Sequence, residues 1–245
     1  MKQRTQNVFV SLGHVAWVIV AFIIAIFAIS LPLAFAGGEL ARFADSSVGS
    51  LIFSTAIYVL AALLAIVPLI VRNPSLRVLL PQVGLARKPT VKMFGWALLL
   101  WAGYFLVALI VNIILYYIDL PWLNLEQRQE IGFQNLIHGY EYVAAFVALV
   151  VVAPVFEEIM FRGYLFGRLR RRHAFIASAL VTSIVFGAVH MQLNVAIDVF
   201  VLSMFMCVAR ERFDSIYPAI FMHMFKNGFA YFFLFIAPLI GINLV

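Results

Sequence analysis

From Val15 to Ala36 the chain runs without a charged side chain, and similar apolar runs fill roughly 48–71, 93–118, 142–167, 174–190, 195–209 and 216–237. A segment crossing about 30 Å of hydrocarbon needs roughly 20 apolar residues, so these runs limit the possible folds more than any other feature. Backbone N–H and C=O groups find no water in that medium, and each run must close its own hydrogen bonds as a helix. The expected fold is all-α: a polytopic transmembrane helical bundle of about seven membrane helices, or eight, with the tail toward Val245 extending the last one.

Composition agrees. Of 245 residues, 65% are hydrophobic and 11% charged, more apolar surface than one soluble core could hide. A single membrane domain over 1–245 follows. The lone cysteine, Cys207, sits in an apolar stretch and excludes an intrachain disulfide. Lys2 and Arg4 ahead of an apolar run ending Ala34-Phe35-Ala36 resemble a cleavable signal peptide. The run is too long for the roughly 7–15 residues of an h-region and starts too far from the basic end, so it reads as a first membrane helix.

The intervening segments set the orientation. Residues 72–92 carry Pro74, Pro81, Pro89 and five basic residues without an acid, a loop with room for a short interfacial piece. Residues 119–141 are polar and mixed in charge, a second loop that could be helical. With loops assigned alternately to two sides, the N-terminal tail, loop 72–92, the turn at 168–172 and the turn at 210–212 hold 13 of the 17 basic residues. The opposite loops hold Arg42 and Arg128. The positive-inside rule then makes the N-terminus cytoplasmic, in a multi-pass protein of the cell membrane. The net charge of +6 is a cytoplasmic collar facing anionic lipid and calls for no nucleic-acid partner.

Ionisable residues inside apolar runs carry the functional information, since each costs at least about 2.5–3.5 kcal/mol at a helix centre. They are Glu157, Glu158, Arg162, His190, Asp198, His223 and Lys226. Glu158 and Arg162 are four apart with the acid first, the favourable order for an ion pair. Glu157 lies about 100° further round and can address another partner. His223 and Asn227 share a face. Helical rise brings these groups to similar depths, so Glu157, His190, His223 and Asn227 could line one cavity. The competing explanation is structural. A buried Glu158–Arg162 pair can simply hold helices together, and Asp198 reads more readily as structural than as cavity lining. Lys226 has no account beyond a lipid, acid or substrate contact.

The pattern E-E-x-x-x-R at Glu157–Arg162, F-x-x-x-H at Phe186–His190 and H-x-x-x-N at His223–Asn227 resembles the CPBP family of intramembrane proteases. That family includes type II CAAX prenyl endopeptidases and bacteriocin-processing or immunity-type (Abi-type) relatives. With 24 Phe and 5 His, F-x-x-x-H arises by chance about half a time, so the ordered set carries the weight. The resemblance covers about 145–230, a core following additional N-terminal membrane helices over 1–118, with a weaker echo at Val83-Gly84-Leu85. Ser203 and Cys207 stand where relatives often have glycines, and remain small-xxx-small.

The resemblance implies that Glu157 and His190 position and deprotonate a water that attacks a scissile carbonyl, while His223 and Asn227 donate to the oxyanion. Glu158, Arg162 and Phe186 would support them. General chemistry agrees, because a carboxylate withdrawn from water is a stronger base and preorganised donors stabilise an oxyanion by a few kcal/mol. The expected partners are the bilayer and a membrane-anchored or hydrophobic peptide or protein. No cofactor is expected, yet zinc held by Glu157, His190 and His223 stays open. H-E-x-x-H, G-x-G-D and G-x-S elements are missing. A transporter would want repeated or broken helices in matching halves, which the sequence lacks. A non-catalytic scaffold or immunity protein is the remaining alternative.

Overall fold

The computed structural model describes residues 2–127, 133 and 136–242, the side chains of residues 2–5 excepted. Nine helices follow one another within them: α1 Lys2–Phe35, α2 Gly38–Ala44, α3 Ser47–Arg72, α4 Leu76–Gln82, α5 Val91–Ile118, α6 Gly139–Arg170, α7 Phe175–Ala188, α8 Leu193–Phe213 and α9 Tyr217–Ile240. Six of these, α1, α3, α5, α6, α8 and α9, are long and apolar enough to cross a membrane. The protein is a polytopic helical bundle. Arg128 and the extreme tail at Val245, both used in the sequence reading, lie outside the described residues.

Where expectation and structure differ, helix length and membrane thickness are independent quantities. Helix α1 begins well before Val15, because Gln6 and Asn7 are compatible with helix although they would not suit lipid. The run at 174–190 yields only 14 helical residues in α7, a rise of about 21 Å and short of the hydrocarbon thickness. It enters the bundle and turns back at Val189–Gln192 into α8. Side chains of Gln192 and Asn194 at this tip donate to the Gln127 carbonyl at 3.1 and 2.8 Å, so the loop after α5 covers it.

The three basic segments of the later chain meet at one end of the bundle. Arg170 pairs with Glu211 at 2.9 Å, Arg87 donates to the Phe213 carbonyl at 3.0 Å, and Ile216 N–H donates to the Gly84 carbonyl at 3.0 Å. Gly84 has a φ of +75°, and a Cβ there would lie 2.9 Å from the Arg210 guanidinium. Val-Gly-Leu at 83–85 is thus a wedge: glycine makes the left-handed turn, and its backbone docks under α8 and α9. Across the bundle, Ser203 and Cys207 are fully buried, and Cys207 packs with Phe166 and Ala179. The small face of α8 therefore permits the close approach expected of it.

The first two long helices are fastened to this core by hydrogen bonds. His14 Nδ1 and the Tyr164 hydroxyl lie 2.9 Å apart, Ser11 and His173 2.7 Å, and the Trp17 indole donates to α3 carbonyls at 3.1 and 3.2 Å. Helix α3 packs on α6 and forms one wall of the cavity described next.

Candidate active site

Pro154 sets the local geometry of α6. The helix widens into π-helical turns over Val147–Val152 and again over Ile159–Phe166, with an α-helical stretch Ala153–Glu158 between them. In a π turn the carbonyl of residue i seeks the N–H of i+5. For Leu149 that residue is Pro154, which has none. The orphaned Leu149 carbonyl instead accepts from Asn227 Nδ2 at 2.8 Å. The proline in the acidic helix thus ties α6 to α9 beside the motif.

Glu158 and Arg162 have no exposed side-chain surface, and they pair at 2.8 Å through Oε1 and Nη1. The same Oε1 lies 3.0 Å from His223 Nδ1. The carboxylate paired with arginine only accepts, so Nδ1 carries the proton and Nε2 is left to face the other way. It points toward Glu157, with Nε2 and Oε2 3.8 Å apart. Separate faces on α6 therefore do separate work: Glu158 grips His223 from behind while Glu157 opens to a cavity.

Phe186 joins the remaining parts. The Arg162 guanidinium sits 4.3 Å from its ring centroid, and the rings of His190 and His223 meet it edge-on at 5.1 and 5.7 Å. Its carbonyl, in the last turn of α7, is left free because the His190 N–H turns to Gly187. It accepts from His190 Nδ1 at 2.8 Å. His190 therefore caps the helix that carries it, and its Nε2 is the atom available to a ligand.

Glu157, His190, His223 and Asn227 line a single cavity of about 510 Å³, with Tyr58, Lys226 and Tyr231 among its other walls. Glu157 Oε2 is buried there without a hydrogen-bond partner among the described residues. Glu158, Arg162 and Phe186 stand behind the cavity rather than in it. Asp198 lies outside the lining, where it accepts from the Tyr104 hydroxyl at 2.7 Å and faces Lys226 at 3.8 Å. Among the described residues no three His, Cys, Asp or Glu side chains are grouped closely enough to hold a metal ion.

Tyr58 on α3 escaped the sequence reading. It lines the cavity and its hydroxyl faces the Glu157 carboxylate. A tyrosine in an apolar run costs little and stands out in no pattern, so only the packing of α3 on α6 reveals it.

Comparison with known proteins follows the same residues. Residues 139–229 match the family model described as type II CAAX prenyl endopeptidase Rce1-like, which spans all three motifs. A Bacillus subtilis (strain 168) protein named "Putative membrane peptidase YdiL" is 32% identical over 79 residues, covering 32% of this chain and 32% of that protein. The chain thus matches about a third of that relative's length. No solved structure matches. The segment 139–229, carrying Glu157, His190, His223 and Asn227, is similar to the Rce1-like type II CAAX prenyl endopeptidases, the family its motifs resemble.

Proposed function

We propose that the protein is an intramembrane endopeptidase that hydrolyses a peptide bond in a membrane-associated protein or peptide, with Glu157 as the base. The observation that carries this reading is the buried Oε2 of Glu157, which has no hydrogen-bond partner among the described residues and faces a cavity that His190 and His223 also line. A carboxylate oxygen so held, with its neighbour toward Tyr58 and its own hydrogen-bonding capacity unspent, is suited to a water.

In this reading a water donates to Glu157 Oε2 and to the bare Nε2 of His190. Its oxygen attacks the scissile carbonyl carbon, and Glu157 takes the proton. The carbonyl electrons move onto oxygen, where the second Asn227 amide hydrogen and the Tyr58 hydroxyl are candidate donors. His223 joins them in the form that carries a proton on Nε2 as well as on Nδ1. Collapse breaks the C–N bond, and the proton passes from Glu157 or His190 to the departing amine. Preorganised donors of this kind each contribute about 2.7–4 kcal/mol in enzymes that use them.

The chemistry needs no metal in this account. The Asn227 amide suits an oxyanion better than zinc. We place the N-terminus in the cytoplasm of a cell-membrane protein, on the basic ends that meet through Arg170 and Arg87. The test is incubation of the purified, reconstituted chain with membrane-anchored peptides, followed by mass spectrometry. Defined cleavage sites are expected, and intact peptides after exhaustive incubation would refute the reading.

A further inference from the structure

Lys226 lies on α9 between His223 and Asn227 and lines the same cavity. Its charge is close enough to act on the His190 ring. An ammonium at this depth demands a partner, and the nearest anion, Asp198 Oδ2, is 3.8 Å away, beyond hydrogen-bonding distance. Asp198 gives its short contact to another helix, accepting from the Tyr104 hydroxyl at 2.7 Å. A simple tie between α8 and α9 would close the lysine–aspartate gap, whereas here Tyr104 holds Asp198 back. Among the described residues the ammonium makes no hydrogen bond, so all three of its donors are uncommitted.

We propose that Lys226, braced by Asp198 and Tyr104, is an anion subsite that holds a carboxylate of the peptide substrate. The inference rests on the hydrolase reading and adds to it a substrate chemistry. An ammonium acts as a compact point charge without the planar fork of arginine, so it accepts a carboxylate in many orientations. Largely apolar walls strengthen that attraction. The cavity has the size of pockets that enclose small ligands, roughly 300–1,000 Å³, and holds a short peptide segment. Glu157 repels a second carboxylate, while Lys226 draws it to the α8–α9 wall. The peptide is thereby oriented, with its cleavage point at a set distance from its negative group. That group is either a free C-terminus or an Asp or Glu side chain.

Binding can be measured on the full-length Glu157→Gln chain in micelles, which retains the cavity and leaves the peptide intact. The probes are N-dansylated hexapeptides of Leu and Ala in four forms: C-terminal acid, C-terminal amide, amide with one internal Glu, and amide with one internal Gln. At least one acidic form is expected to bind about tenfold tighter than its neutral twin, and which one identifies the source of the carboxylate. A further Lys226→Met change should abolish that preference while the neutral twins still bind, and Lys226→Arg should retain it in part. Equal affinity of acidic and neutral twins, an undiminished preference in Lys226→Met, or no binding of any probe would overturn the subsite. Cleavage of the twins by the unsubstituted chain separates the two claims. Cleavage indifferent to acid removes the subsite alone, while acid-selective binding without cleavage of any peptide removes the hydrolase alone.

Discussion

Glu158 and His223, 65 positions apart in sequence, share a 3.0 Å contact between Oε1 and Nδ1 in a pocket that also buries Arg162. One carboxylate oxygen thereby accepts from both a guanidinium and an imidazole. The arrangement fixes the protonated nitrogen of His223 and aims the other at Glu157. In the proposed mechanism Glu158 is a positioning residue, and its pairing with Arg162 makes its charge tolerable inside the bundle.

Removing one member of that pair should be far worse than removing both. Arg162→Ala leaves a buried carboxylate without its cation and is expected to lower stability by about 3–5 kcal/mol, whereas Arg162→Met with Glu158→Leu should recover much of the loss. The double variant should remain folded and lose activity, because His223 is then unheld. Denaturation in mixed micelles together with cleavage assays checks both. Equal stability of the single and double variants would contradict the pairing.

Tyr58 makes a sharper test of the cavity, because its helix lies outside the segment that matches the family model. Tyr58→Phe keeps the ring and removes only the hydroxyl facing Glu157. The expected outcome is a fall in kcat of roughly tenfold or more, with KM and thermal stability little changed. An unchanged kcat would remove Tyr58 from the site.

Topology is testable at Arg171, an exposed residue of the basic turn after α6. A cysteine placed there should react with an impermeant thiol reagent only after the cytoplasmic side is opened, since the native Cys207 is buried and remains silent. Labelling on intact cells would invert the orientation.

Activity should survive exhaustive treatment with a membrane-compatible chelator. Stoichiometric zinc in the active protein, with activity lost on its removal and restored on its return, would convert Glu157, His190 and His223 into ligands and overturn the metal-free account.

The candidate site was legible in the sequence to the extent that its members are expensive in lipid. Glu157, His190 and His223 are ionisable residues in apolar runs, and the motif spacing linked Asn227 to them; all four line one cavity. What the sequence concealed was either cheap or long-range. Tyr58 is an ordinary membrane-helix residue. The Glu158–His223 contact joins helices whose register no local pattern sets, and the same holds for Asp198, which Tyr104 reaches from α5. Phe186 was visible only as a motif letter, although it touches Arg162, His190 and His223. The shortness of α7 was hidden because apolarity continues past its C-terminus, where His190 caps the last turn. The widening of α6 depends on a carbonyl that Pro154 cannot satisfy, which composition does not display.

The most direct measurement compares the unsubstituted chain with Glu157→Gln, reconstituted at equal amounts, on one membrane-anchored peptide by mass spectrometry. Glutamine preserves size and lacks the carboxylate that takes the proton from water. The account predicts a loss of cleavage of at least about 100-fold with expression, micellar melting and peptide binding nearly unchanged. Cleavage by Glu157→Gln at the rate of the unsubstituted chain would show that Glu157 is not the base.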